Sequence, residues 1–150
     1  MKIVAAALLL GASLAAPAIA RADDVPSVDQ VVAIMSELTD PDIPAANKGN
    51  IVTPGFAPDD AGTIDDHLHR MDAFGGLLPP DFVVTDIQPA PNNFAGATVE
   101  TAGGYKHATN PRPIVLVNQG GHWLITTDTA LTVLDAIWRA GQKVPVHPVL

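Results

Sequence analysis

Cysteine is absent from this chain of 150 residues. That excludes disulfide staples, thiol nucleophiles and lipid attachment through an acylated cysteine. Basic residues are scarce, with 8 Lys and Arg against 16 Asp and Glu. A surface of that sign repels phosphate backbones and anionic headgroups, which argues against nucleic acid and membrane-surface partners. There is no Gly-x-Ser-x-Gly nucleophile elbow, no glycine-rich phosphate loop between strand and helix, and no arginine pair for twin-arginine export. No cofactor is implied. Aromatics make up only 5% of the residues, including a single tyrosine and two tryptophans. No internal repeat is visible.

What is present begins with a leader. Met1-Lys2 supplies a positive start, Ile3 to Ile19 carries no charge, and the small residues Ala20 and Ala22 flank Arg21 ahead of Asp23. This order reads as a secretory signal peptide over 1–22, cut between Ala22 and Asp23, with Ala20/Arg21 a second possible cut. An apolar run of about 17 residues is at the low edge of what spans a bilayer, and no basic cluster follows to stop transfer. The reading is therefore secretion to the extracellular space or cell envelope, with no stable membrane insertion after cleavage. Loss of Lys2 and Arg21 leaves 6 basic against 16 acidic residues, a net charge near −10 on about 128 residues. One domain over 23–141 and a flexible tail over 142–150 complete the plan; a chain of this size can stabilise itself with a single apolar core.

Periodicity supplies the elements. Ser27 and Gln30 form a capping box ahead of Val28, Val31, Val32, Met35 and Leu38, which repeat at helical spacing. Asp40-Pro41 stops that helix. Asp42 to Asp60, with three prolines, reads as loop, except for a helical turn over Pro44–Lys48 closed by Gly49. A second helix is expected over Ile64–Phe74, capped by Thr63 and ended by Gly75-Gly76, with Ile64, Leu68 and Met71 as its buried stripe. The period then changes to two. Strands are expected over 81–88, 94–101, 114–117 and 122–126, with turns at Pro89–Asn93 and Asn118–Gly121. Thr127 or Asp128 caps a third helix, which buries Ala130, Leu131, Leu134, Ile137 and Trp138 and stops at Gly141. Grouped strands predict an α+β fold, with the helices on one face of a curved antiparallel sheet of about four strands.

The densest polar cluster lies on the second helix. Asp65, His69 and Asp72 share a side at i, i+4 and i+7, a spacing that could hold a divalent metal but that reads better as a solvated helix face. His67 is expected on the flank of the apolar stripe, near Met71 and Phe74. A half-buried imidazole is a usual general acid or base, provided a carboxylate orients it and a cavity lies beside it. Otherwise it is a packed histidine. Asp86, on a strand, and Tyr105, in a glycine-bounded loop, are the groups that could assist. Trp123 opens an apolar strand and, like Trp138, reads first as a core anchor. His67, Asp86, Tyr105 and Trp123 are thus the candidate pocket residues. His107, His122 and His147 share no ligand spacing.

Several stretches resemble the mycobacterial low-molecular-weight secreted antigen family. They are Ala45-Ala46-Asn47-Lys48-Gly49, Asp66-His67, Asp86-Ile87-Gln88-Pro89-Ala90, Val117-Asn118-Gln119-Gly120-Gly121 and a closing helix ending near Ala140-Gly141. They occur in the family's order across about 28–141. The resemblance implies an exported antigen without established enzymatic activity, and brings no catalytic residues. By analogy, helices followed by a sheet with a Gly-Gly-x-Trp hairpin are also similar to the cone-shaped fold of nuclear transport factor 2 and ketosteroid isomerase. The expected function is a secreted, non-catalytic antigen-type protein binding a small apolar ligand or an envelope or host protein. The alternative is a cone-fold isomerase, dehydratase or hydrolase using a pocket histidine.

Overall fold

The computed structural model describes residues 25–73, 78–102 and 109–142. The expected signal peptide with its Ala22/Asp23 cut, Phe74 to Gly76, the loop holding Tyr105 and His107, and the tail after Gln142 lie outside the described residues. The elements run α1 (Val28–Leu38), a 3₁₀ turn (Ala45–Asn47), β1 (Val52–Thr53), α2 (Pro58–Ala73), β2 (Asp81–Ala90), β3 (Phe94–Ala102), β4 (Arg112–Gln119), β5 (His122–Thr126) and α3 (Thr127–Gln142). The fold is α+β, as the grouping of strands predicts.

α1 starts where its capping box places it. Gln30 N–H donates to Ser27 Oγ at 3.1 Å, and Ser27 N–H donates to Gln30 Oε1 at 2.8 Å. The buried stripe is Val31, Ile34, Met35 and Leu38; Val32 is only half-buried and Val28, in the first turn, is 48% exposed. α2 begins six residues earlier than expected. Pro58, read as part of the loop, opens the helix, where its missing N–H would lack a partner anyway. Ala61 N–H donates to Ala57 O at 2.9 Å, which makes Ala57 the cap, and Asp59 and Asp60 fill the anion-favouring first turn. Thr63 is therefore no cap; its hydroxyl donates back to Asp59 O at 3.1 Å inside the helix.

The sheet has five strands in the order β1-β5-β4-β3-β2, and it is mixed rather than wholly antiparallel. The additional strand is β1, two residues long, paired parallel to β5 through Val52↔Ile125 and Thr53↔Thr126. Its key bond is Ile125 N–H to Ile51 O at 2.7 Å. The remaining pairs are antiparallel. Both hairpin turns need left-handed backbone, and the sequence supplies it: Asn92 and Asn93 sit at φ 64° and 67°, and Gly120 and Gly121 at 61° and 90°. A bulge between Thr85 and Gln88 puts Asp86 at φ 53°.

The register places Val84, Ala97, Val99, Ile114, Leu116 and Ile125 on one face, where they join the buried stripes of all three helices in one apolar cluster. On the other face Val83 and Val115 remain 39% and 41% exposed. The described helices thus pack on the first face, although Leu124 on the second is also buried. α3 follows β5 without a loop, and Thr127 does not cap it. Its hydroxyl instead donates to Gly55 O at 3.0 Å and accepts from Gly55 N–H at 3.1 Å, joining the start of α3 to the chain after β1. Gly141 lies inside α3 rather than at its stop, since one helical glycine costs only about 1 kcal/mol. Among the described residues no helix is long and apolar enough to cross a membrane.

Candidate functional site

α2 and α3 lie side by side over the sheet, and a groove of about 250 Å³ opens between them. Its floor is the apolar stripe of each helix: Ile64, Leu68 and Met71 from α2, Leu131 and Leu134 from α3. The polar lining residues make the rim: Asp60 and His67 lie three or four residues from the α2 stripe, Asp135 follows Leu131 by four, and Thr63 adjoins Ile64. His67 then closes onto α3. Its ring stacks on the Trp138 indole with centroids 3.8 Å apart and planes 3° from parallel, which fixes the two helices against each other.

The charges on this rim are unequal. Asp135 Oδ2 accepts from Arg139 Nε at 2.7 Å, one helical turn on. Arg70 and Asp66 form the matching pair on α2, at 3.0 Å. The exposed Asp60 side chain has neither a hydrogen bond nor an ion pair among the described residues. His67 likewise makes no hydrogen bond, and its ring face is committed to Trp138. The groove is apolar below and has one unpaired carboxylate above.

Of the candidate residues expected to converge, only His67 lines this groove, next to Met71 as its position predicts. Asp86 does not approach it; the bulge turns this residue out into solvent on β2, the far edge strand. Trp123 is partly buried against the sheet's covered face, on the same side as Ile125, and acts as a core anchor. Tyr105 lies outside the described residues. The base of its loop is closed by Thr101 and Thr109, whose N–H donates to Thr101 Oγ1 at 2.7 Å. Asp65, expected on the solvated side, accepts from Ala45 N–H at 2.8 Å and anchors the 3₁₀ turn to α2. Trp138, read as a core anchor, is the group missed as a site residue. Its partner is 71 positions away, and no local pattern pairs them.

A second polar cluster is buried outright. Lys48 is 0% exposed, and its Nζ donates to Leu38 O at 2.9 Å and Asp40 O at 3.1 Å, capping the C-terminal end of α1. Burial pushes its ammonium down from 10.5 to about 8, against the opposing pull of Asp65, Asp40 and Glu37. A lysine so placed could be a nucleophile only if a substrate reached it, and it does not line the groove. Its role is structural.

Comparison with known proteins agrees with the stretches noted in the sequence. The family described as "Low molecular weight antigen MTB12, C-terminal domain" matches residues 24–140. The low molecular weight antigen MTB12 of Mycobacterium tuberculosis (strain CDC 1551 / Oshkosh) is 38% identical over 117 residues, covering 78% of this chain and 68% of that protein. Its counterpart in Mycobacterium bovis is 37% identical over the same shares of each chain. The MTB12 homolog of Mycobacterium leprae is 29% identical over 120 residues, 80% of this chain and 71% of that protein. With the match running from just before α1 into the last turn of α3, the chain belongs to the low molecular weight antigen MTB12 family, through that family's C-terminal domain.

Proposed function

We propose that this protein is a secreted or cell-envelope antigen of non-catalytic type that binds a small apolar molecule in the groove between α2 and α3. The antigen part rests on the names of its relatives, and export on the leader over 1–22. The observation behind ligand binding is the groove itself. It is concave, floored by five aliphatic and thioether side chains and rimmed by a few polar groups, the usual make-up of a small-molecule site. Its volume of about 250 Å³ suits one short chain or ring system rather than a whole lipid.

The cone-fold enzyme reading, with His67 as base, has less support. Catalysis by a histidine calls for an orienting hydrogen bond, and the groove holds His67 by ring stacking instead. Asp86, the carboxylate offered as its helper, sits on the opposite edge strand.

Native mass spectrometry of protein collected from culture fluid tests the proposal. The expected mass is that of a chain beginning at Asp23 plus a small apolar adduct. Leu131→Trp, which fills the groove from a partly exposed position, is expected to remove the adduct while the protein stays folded. A chain still beginning at Met1 would overturn export. A wild-type protein that neither retains nor takes up any apolar molecule would overturn binding.

A further inference from the structure

The rim of the groove bears on the head group of its ligand. Resting on the proposed binding function, we infer that its ligand is a cationic amphiphile: a short apolar body carrying a protonated amine, which the Asp60 carboxylate receives at the rim.

The argument is one of charge complementarity. Among the described residues, the ionisable groups facing the groove come from α2 and α3, namely Asp60, His67 and Asp135. Asp135 already has a partner in Arg139 at 2.7 Å, both side chains being more than half exposed. Asp60 is the unpaired anion, and Asp59 beside it adds charge of the same sign. The positive end of α2 offsets roughly half a charge at this first turn, so a net negative rim remains. A carboxylate-headed chain would be repelled there, and doubly so by a chain with twice as many acidic as basic residues. Asp60 is exposed in the empty groove, so a neutral ligand covering the rim would take water from its carboxylate and return no partner. An ammonium replaces that water with a charge-assisted hydrogen bond. The floor then takes the apolar body, since Ile64, Leu68, Met71, Leu131 and Leu134 offer nothing more polar than the weakly accepting Met71 sulfur.

Three probes of equal chain length separate the head group from the groove: octylamine, octanol and octanoate, titrated calorimetrically into the purified protein at pH 7.5. Octylamine is expected to bind about tenfold more tightly than octanol, the size of one charge-assisted contact, with octanoate weakest. Octanol is expected to displace octylamine, which shows a shared groove rather than condensation on an acidic surface. Asp60→Asn, checked for an unchanged fold by circular dichroism, should bring octylamine to within about threefold of octanol. If octanol and octanoate bind as tightly as octylamine, or if Asp60→Asn keeps the amine's advantage, the head-group inference falls and the groove survives as an apolar site. If octylamine binds but octanol fails to displace it, the amine sits elsewhere and the inference also falls. If none of the three binds, both the inference and the ligand-binding function fall.

Discussion

Lys48 shows how much a single residue can decide here. The loop that holds it must turn back under α1, and α1 ends with carbonyls that no further helical turn can satisfy. The Lys48 ammonium bonds two of them, Leu38 O and Asp40 O, while Thr39 Oγ1 donates to Met35 O at 2.9 Å. The cost is a desolvated charge. Its folded value of about 8 lies below the 10.5 of an exposed lysine, so between those limits the unfolded chain binds more protons than the folded one. Stability therefore rises as pH goes from about 8 to about 10.5, and lies on its lower plateau below 8. The full swing is on the order of 3 kcal/mol, and the neutral amine still has two N–H groups for the two carbonyls. Urea unfolding at pH 7.5, 9 and 10.5 should show this rise in the wild type and not in Lys48→Met. Parallel pH profiles for the two would mean that Lys48 keeps its exposed-lysine behaviour.

At the scale of elements, α2 and α3 make the site, and their contact is pinned by one pair of rings. His67 and Trp138 stack 3.8 Å apart, an arrangement of a kind worth about 0.5–1.5 kcal/mol beyond area burial. A double-mutant cycle with His67→Leu and Trp138→Leu should return a coupling of that size in chemical denaturation. Coupling near zero would mean that the floor residues alone hold the helices together. The two helices themselves were legible in the sequence, because Ile64, Leu68 and Met71, and Ala130, Leu134 and Ile137, repeat at helical spacing. So were the hairpin turns, since Asn92, Asn93, Gly120 and Gly121 are residue types that accept positive φ. The start of α2 was not, because Pro58 breaks helices in their interior and opens them at their first position, and only the chain before it decides which. β1 escaped for a different reason. Two residues have no period, and their partner in β5 is more than seventy positions distant. The site suffered the same fate: His67 was visible as a half-buried histidine, but the surface it faces comes from the far end of the chain. Asp86 looked equally available until the bulge turned it outward.

For the whole molecule, the consequence of one-sided coverage is a single core with contributions from every part of the described chain. Val31 of α1, Val52 of β1, Leu68 of α2, Val99 of β3, Leu116 of β4 and Ile137 of α3 all belong to it. No part of that list could keep its apolar surface dry alone, so unfolding should be one cooperative transition. The joint most exposed to failure is the seam between the first half of the chain and the last. There β1 is held by two residue pairs with β5, and Thr127 holds Gly55 by two hydrogen bonds of 3.0 and 3.1 Å. Thr127→Val keeps the shape of the side chain and removes both bonds, leaving a part-buried N–H and C=O of Gly55 without their partner. About 1–2 kcal/mol should be lost, which for a domain of this size lowers Tm by roughly 5 °C. If the core is truly single, far-UV and near-UV circular dichroism will still report the same, lower midpoint in the variant. If instead the seam can open while the rest stays folded, Tm will hardly move and hydrogen exchange will quicken only at Gly55 and Ile125, whose amides mark the two sides of the joint. The two outcomes separate a one-piece molecule from one whose leading segment is only laid against a finished sheet.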